Sequence, residues 1–137
     1  MKLSTKSEYA CLALIILAED YRRRSGGGYM RISDIAGAQE IPKKYLEQIL
    51  LALKRSRYVK SKMGAEGGYA LAKPPEEITL AEIIRLMDGA LAPVLSVSEY
   101  FYESTPVERS GNLLRVFAEI RDFISKKLES TTFADLL

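Results

Sequence analysis

The sequence predicts a mostly α-helical protein with one small β-hairpin, and three observations support that fold class. Apolar residues recur every three or four positions in several segments, as they do in amphipathic helices. Between residues 58 and 72 the spacing changes to two around a glycine-rich turn, which is typical of a hairpin. Two predicted helices directly precede this hairpin, and the order helix, turn, helix, hairpin is that of a winged helix-turn-helix.

Length and composition favour one domain with a helical appendage. The chain has 137 residues, one cysteine and no histidine. We assign residues 1–88 to a winged helix-turn-helix DNA-binding domain, and residues 89–137 to a linker, a long dimerisation helix and a C-terminal tail. A Cys/His metal site or a histidine-based catalytic triad cannot be built within one such chain, so we expect no metal site and no enzymatic activity.

We expect the protein to be cytoplasmic. Its longest apolar run, Ala10 to Ala18, is too short to cross a membrane, and its first residues lack the layout of a secretory signal.

Charge is distributed unevenly along the chain. Residues 1–73 carry 14 Lys and Arg against 7 Asp and Glu, whereas residues 74–137 carry 6 against 11. The basic half is also the half with the helix-turn-helix pattern. This coincidence favours a nucleic-acid-binding function for the basic half. The alternative is that charge simply varies along the chain.

The first predicted helix runs from Lys2 to Tyr21 and has Ser4 or Thr5 as its cap. It is apolar on almost every face, which indicates burial between neighbouring elements. We interpret Cys11, on this helix, as a small core residue rather than a reactive thiol.

Basic residues lie at both ends of this helix. At its start, free N–H groups near Lys2, Ser4 and Lys6 attract phosphate, although capping and solvation explain these residues equally well. At its end, the run Arg22-Arg23-Arg24 either touches a DNA backbone or caps the helix.

The helix-turn-helix spans two shorter helices. The first covers Ile32 to Ala38, with Ser33 as its N-cap, and the second runs from Pro42 to Arg55. The second helix has one apolar face and one polar face, as a helix that enters a DNA groove requires. Tyr29-Met30-Arg31, before the first helix, is predicted to pair with the hairpin as a short strand.

The C-terminal half contains two more predicted helices. Thr79 to Met87 begins with a capping box to Glu82, and Pro106 to Leu128 forms a long helix. The long helix carries more apolar surface than one small domain covers, and packing on its own domain is the alternative to dimerisation. The dimerisation residues we expect are Leu113, Phe117, Ile120 and Ile124.

The intervening segment, Ala90 to Thr105, is predicted to be a loop or a short helix. It contains Tyr100, Phe101 and Tyr102, which either belong to the core or line a pocket. If a small molecule or a partner protein regulates the protein, we expect it to act near residues 90–105.

Several motifs together resemble the Rrf-type transcriptional regulators over essentially the whole chain. The most specific pair is Tyr45-Leu46-Glu47-Gln48 followed by Gly67-Gly68-Tyr69. The others are Lys2 to Lys6 with Tyr9, Leu71, Leu91 to Val94, and Ser130 to Leu136. The resemblance implies a dimeric, winged-helix bacterial transcription factor that binds double-stranded DNA through helix 42–55 and wing 58–72. The helix start, the resemblance and the wing together give the DNA-binding residues that we expect: Lys2, Ser4, Lys6, Lys43, Lys44, Tyr45, Glu47, Gln48, Lys60, Lys62 and Gly64.

Two departures from the family pattern matter. Cluster-binding members carry three cysteines between the short and the long C-terminal helices, but Val94 to Asn112 has none here. Hydroxyl groups are poor iron–sulfur ligands, so no iron–sulfur cluster is expected. In the wing, Met63 stands where members often have an arginine suited to a narrow minor groove, which leaves Lys60 or Lys62 to supply the charge.

The sequence therefore favours a DNA-binding regulator, a repressor before an activator, that acts as a homodimer on a two-fold operator. The alternative is a protein-interaction module that keeps the winged-helix fold but has lost DNA binding, and Met63 in the wing is the feature that favours it.

Overall fold

The computed structural model describes residues 1–137 and confirms the predicted fold class. The structure consists of five α-helices and one antiparallel two-stranded hairpin. The elements in chain order are α1 (Thr5–Arg23), α2 (Ile32–Gln39), α3 (Lys43–Arg55), β1 (Val59–Lys62), β2 (Gly68–Leu71), α4 (Leu80–Asp88) and α5 (Gly111–Glu129). None of these helices combines the length and the apolar composition that a membrane crossing requires.

The core forms where α1 passes behind the helix-turn-helix. Leu14 and Leu17 of α1 are fully buried, and they share one cluster with Ile35 of α2 and Leu46 and Ile49 of α3. The apolar periodicity of these helices places such residues on one face each. The core therefore fixes α3 relative to α1 and leaves the polar face of α3 toward solvent.

The cap of α2 and the start of α3 differ from prediction by two residues and one residue. Ser33 is not the N-cap of α2, because Arg31 is the last residue with extended backbone and Ser33 already lies in the first helical turn. Pro42 is the residue before α3 rather than its first residue. The turn between the two helices passes through Glu40, whose φ of 53° reverses the chain, and buried Ile41 anchors it.

The wing is a hairpin with a third short segment beside it. Lys62 pairs with Gly68 and Val59 with Leu71 across the two strands. The predicted pairing of residues 29–31 with the hairpin is confirmed, since Met30 and Tyr69 exchange both backbone hydrogen bonds, at 2.8 and 2.7 Å. At Gly68 an added Cβ would lie 2.1 Å from the Met30 carbonyl oxygen, so this close approach requires glycine.

The C-terminal half confirms the capping box and shortens the long helix. The Thr79 and Glu82 side chains each accept a hydrogen bond from the other residue's backbone N–H. The predicted helix from Pro106 divides into a 3-10 turn at Pro106–Arg109 and the helix α5. The division occurs because Ser110 adopts an extended backbone and its hydroxyl caps α5 by accepting from the Leu113 N–H.

The segment from 90 to 105 is a loop with one 3-10 turn at Leu95–Val97. The interpretation of its aromatic residues as core is wrong, because Tyr100, Phe101 and Tyr102 are all exposed. They border a shallow depression of about 340 Å³ beside the end of α4.

The C-terminal tail returns to the N-terminal core. Phe133 is fully buried in the same cluster as the α1 and α3 residues, and its N–H donates to the Ile78 carbonyl at 2.9 Å. Thr132 pairs with Thr79 as an isolated bridge. The tail therefore ties the end of α5 to the start of α4.

Candidate nucleic-acid interface

One face of α3 is free to meet a ligand. Leu46, Ile49, Leu50 and Leu53 are buried, whereas the opposite face is exposed and polar apart from Leu51, which is 47% exposed. The exposed residues of its first two turns include the four predicted readers Lys43, Lys44, Glu47 and Gln48. The structure thus brings these four side chains together on the surface of one helix.

Tyr45 braces α3 against α1. Its ring meets the ring of Tyr9 edge to face, with the centroids 5.5 Å apart and an interplanar angle of 73°. Such a pair stabilises the contact between two helices beyond simple burial. Both tyrosines belong to the motifs named above, and their contact fixes the start of the exposed face of α3.

The start of α1 is held by a carboxylate from α4. The Ser4 N–H donates to Asp88 Oδ2 at 2.9 Å, the Ser4 hydroxyl donates to Asp88 Oδ1, and the Ser4 Oγ accepts from the Ser7 N–H. Burial raises the pKa of Asp88, but the hydrogen bonds from Ser4 outweigh it and leave the pKa below its usual value. Because both donors of Ser4 are occupied, a phosphate at this position would have to displace Asp88.

The wing presents cations and an apolar tip. The Lys60 and Lys62 Nζ atoms lie 5.7 and 5.9 Å from the centroid of the Tyr29 ring, which places both lysines on one side of the hairpin. Met63 at the tip is 93% exposed, and Gly64 beside it has a φ of 102° that suits glycine. The two predicted lysines therefore approach Tyr29 rather than the tip.

Arg31 was not among the predicted site residues, yet it reaches the wing. Its Nη2 donates to the Ala65 carbonyl in the tip turn at 2.6 Å. The predicted pairing of residues 29–31 with the hairpin was the signal that pointed to this neighbourhood.

The arginines at the C-terminal end of α1 chiefly stabilise the end of that helix. Asp20 is buried, and its Oδ1 accepts a hydrogen bond from Arg23 Nη2 at 2.5 Å. The same oxygen forms an ion pair with Arg24, whose Nε lies 2.9 Å away. Arg22 lies 3.7 Å from a carboxylate oxygen of Glu76 on the surface. Of the two interpretations of this run, helix capping is the one that the contacts of Arg23 and Arg24 support.

The residues present do not suit an iron–sulfur cluster. The one cysteine lies on α1, and burial raises the pKa of its thiol to about 11, so that Cys11 is protonated at neutral pH. In the segment from Val94 to Asn112, the hydroxyl groups of Ser96 and Thr105 are hydrogen-bonded to each other at 2.6 Å. No group of three His, Cys, Asp or Glu side chains is placed to hold a metal ion.

The structure divides the predicted dimerisation residues between two faces of α5. Ile124 packs against the small cluster formed by Ala81, Ile84 and Leu91 of its own domain, and Leu128 does the same. No residue of α5 is fully buried. The exposed apolar residues of this helix form a stripe at spacings of three, four and three: Leu113, Val116, Ile120 and Phe123.

An exposed polar recognition helix beside a hairpin wing, on a basic half of the chain, defines a winged helix-turn-helix regulator that binds DNA. The chain belongs to the Rrf2 family, described as iron-dependent transcriptional regulators, whose profile matches residues 3–137.

Known relatives agree with this assignment. The transcriptional regulator CymR of Bacillus subtilis is 35% identical over 136 residues, which cover 99% of this chain and 89% of the relative. An Rrf2-like regulator of Rhodobacter capsulatus is 34% identical over 138 residues, covering 98% and 91%. These relatives are transcriptional regulators.

Solved structures show the same fold. CymR, the global cysteine regulator of B. subtilis, matches with a TM-score of 0.78 and 34% identity, covering 99% of this chain and 95% of that one. IscR of T. potens matches with a TM-score of 0.74 and 30% identity, covering 99% and 85%.

Proposed function

We propose that the protein is a homodimeric repressor that binds a two-fold DNA operator through α3 and the wing. One observation carries the dimeric part of this proposal, namely the uncovered apolar stripe on α5. Phe123, the last residue of this stripe, is 76% exposed, an unusual position for a side chain that gains about 1.5–3 kcal/mol when buried. A second copy of the same stripe would cover it, and dimers of this kind read two half-sites.

The roles of the α3 residues follow from their functional groups. Gln48 pairs with the N6 and N7 positions of an adenine, and Glu47 accepts from the N4 of a cytosine. Lys43 and Lys44, at the start of the helix, reach a guanine edge or a phosphate. Tyr45 positions α3 through Tyr9 rather than reading a base.

Binding-site selection from random duplexes tests the operator assignment. The enriched sequences should contain two inverted half-sites about one helical turn apart, because a symmetric dimer presents two copies of α3. Repression is tested by transcription in vitro from a promoter that overlaps the selected site. Failure to retain any duplex at low ionic strength would instead favour a protein-interaction module.

We also propose that the protein works without an iron–sulfur cluster, unlike the cluster-binding members of its family. Such a cluster needs four thiolate or imidazole ligands, and a symmetric dimer of this chain supplies two cysteines in total. After anaerobic incubation with iron and sulfide, the desalted protein should contain no stoichiometric iron and show no visible cluster absorbance. Stoichiometric iron together with that absorbance would refute this part of the proposal.

The place of an effector is a further part of this proposal. The depression beside Tyr100 and Tyr102 is formed by the end of α4 and the segment that joins α4 to α5. The guanidinium carbon of Arg85, on α4, lies 4.9 Å from the centroid of the Tyr100 ring. The Nη2 of the same side chain donates to Glu129 Oε1, at the end of α5, at 2.7 Å. A ligand that moves this loop would therefore act on α4 and α5 together.

A further inference from the structure

Arg31 is structurally part of the wing although it precedes the hairpin by almost thirty residues of sequence. Met30, its neighbour, exchanges two backbone hydrogen bonds with Tyr69 of β2. The Arg31 guanidinium then crosses to the tip turn and donates to the Ala65 carbonyl. Its position is thus fixed by contacts to both the strand and the tip of the hairpin.

The tip of the hairpin has no cation of its own. Met63, Ala65 and Glu66 are the side chains of the turn, and residues 58–72 contain no arginine. Lys60 and Lys62 lie over the ring of Tyr29. The guanidinium of Arg31 is therefore the cation that the structure holds at the tip.

The surroundings of Arg31 leave it available to a ligand. It lines an open concavity of about 670 Å³ between the loop after α1 and the wing. The charged residues that share this concavity are Arg23, Arg24, Asp34, Lys62 and Glu66. Arg23 and Arg24 are engaged by buried Asp20, and the hydrogen bond to Ala65 uses one of the five N–H donors of Arg31.

The chemistry of a guanidinium at a wing tip favours the minor groove. An arginine is more weakly hydrated than a lysine, and its planar fork enters a narrow groove with little loss of conformational freedom. Runs of A·T pairs narrow the minor groove and make its potential more negative. A guanidinium that is already positioned at the wing tip is therefore suited to bind the minor groove of a run of A·T pairs.

We propose that Arg31 is a specificity-determining residue that enters the minor groove next to the site of α3 and favours A·T pairs there. This inference rests on the proposed DNA-binding function. It assigns to a residue outside the hairpin the role of a wing arginine, which residues 58–72 do not contain.

The test uses the full-length protein and a duplex selected by the wild-type protein from a random library. Its flanking A·T pairs are changed to G·C, or to inosine·cytosine, which resembles G·C in the major groove but lacks the minor-groove amino group of guanine. The wild-type protein should lose about tenfold in affinity on the G·C flank and little on the inosine flank. Arg31→Ala should bind all three duplexes with similar, weaker affinity.

Two further variants serve as references. Arg31→Lys keeps the charge and should keep the salt dependence of binding while the preference for A·T pairs falls. Arg109→Ala removes one positive charge from an exposed position before α5 and should keep the wild-type preference. Thermal melting confirms that each variant is folded before affinities are compared.

An Arg31→Ala protein that still prefers the A·T and inosine flanks over the G·C flank would overturn the inference and leave the proposed function standing. An equal wild-type affinity for all three flanks, with Arg31→Ala uniformly weaker, would also overturn it, because Arg31 would then contact only phosphate. If the wild-type protein retained no duplex in the selection, the proposed function itself would fail.

Discussion

At the scale of residues, the account depends on which side chains of α3 are free to touch bases. The apolar residues of α3 that face the core, Leu46, Ile49, Leu50 and Leu53, are fully buried. Because they hold the helix in place, the exposed side chains of Glu47 and Gln48 have a fixed position. Tyr45 contributes to that position through its edge-to-face contact with Tyr9. Pre-positioning matters here, because a bidentate contact with a base requires both hydrogen bonds to form at once.

Replacing Gln48 with Ala should relax the preference at one base pair of each half-site. The expected cost on the selected site is about 1–3 kcal/mol for each lost bidentate contact, with little change on random DNA. Competition binding with single-base variants of the site measures it. Arg115→Ala, at an exposed position of α5, is a control that should leave the preference unchanged. An equal loss on selected and random duplexes would show that Gln48 does not read a base.

At the scale of elements, the start of α1 and the end of α4 are joined through Ser4 and Asp88. The carboxylate accepts from both the backbone and the side chain of Ser4, next to the positive end of the α1 dipole. These interactions favour the charged form and hold the pKa of Asp88 below the value of an unfolded chain.

The stability of the protein should therefore depend on Asp88 in the acid range. A lowered pKa in the folded state adds stability above the unfolded pKa of about 3.9, and this stability is lost as the pH falls through the folded pKa. Urea unfolding at a fixed protein concentration should show that Asp88→Asn is less stable than wild type at pH 7. The difference should shrink below about pH 4.

Glu119→Gln, an exposed carboxylate on α5, provides the matched control and should show no such pH-dependent difference. A difference between Asp88→Asn and wild type that is constant from pH 7 to pH 3 would contradict the assignment.

Several elements were predictable because their signals are local. The amphipathic period of α3 and the capping box at Thr79 depend on residues within a turn or two of each other, and both predictions are confirmed. The break before α5 was not predicted, because the sequence offers two starts, Pro106 as a first helical residue and Ser110 as an N-cap, and only the extended backbone of Ser110 decides between them. The contact of Arg31 with Ala65 joins residues 34 positions apart, and no local pattern indicates it.

At the scale of the whole molecule, α5 is the helix whose apolar surface a single protomer covers only in part. Its inner side packs on α4 through Ile124 and Leu128, while its outer side is apolar and exposed. The sequence shows one broad apolar stripe and cannot divide it, because the division depends on where the domain meets the helix. The outer residues are the ones available to a second copy.

Replacing Ile120 and Phe123 together with Glu should give monomers. Two like charges per protomer at the centre of a self-complementary stripe would be buried without partners, which costs several kcal/mol. Multi-angle light scattering measures the mass, and Arg115→Glu, an exposed position of α5 outside the apolar stripe, is the control that should keep the wild-type mass. An unchanged dimer mass for the double variant would refute the interface.

The salt dependence of duplex binding tests the central claim most directly. For the wild-type protein on the selected duplex, the logarithm of affinity should fall steeply and linearly with the logarithm of salt concentration, by about 0.9 for each phosphate contact. The double variant Lys43→Ala, Lys44→Ala should make this slope shallower by about two to four, because a dimer presents each lysine twice. Duplex binding that is absent, or insensitive to salt and to these lysines, would contradict the account.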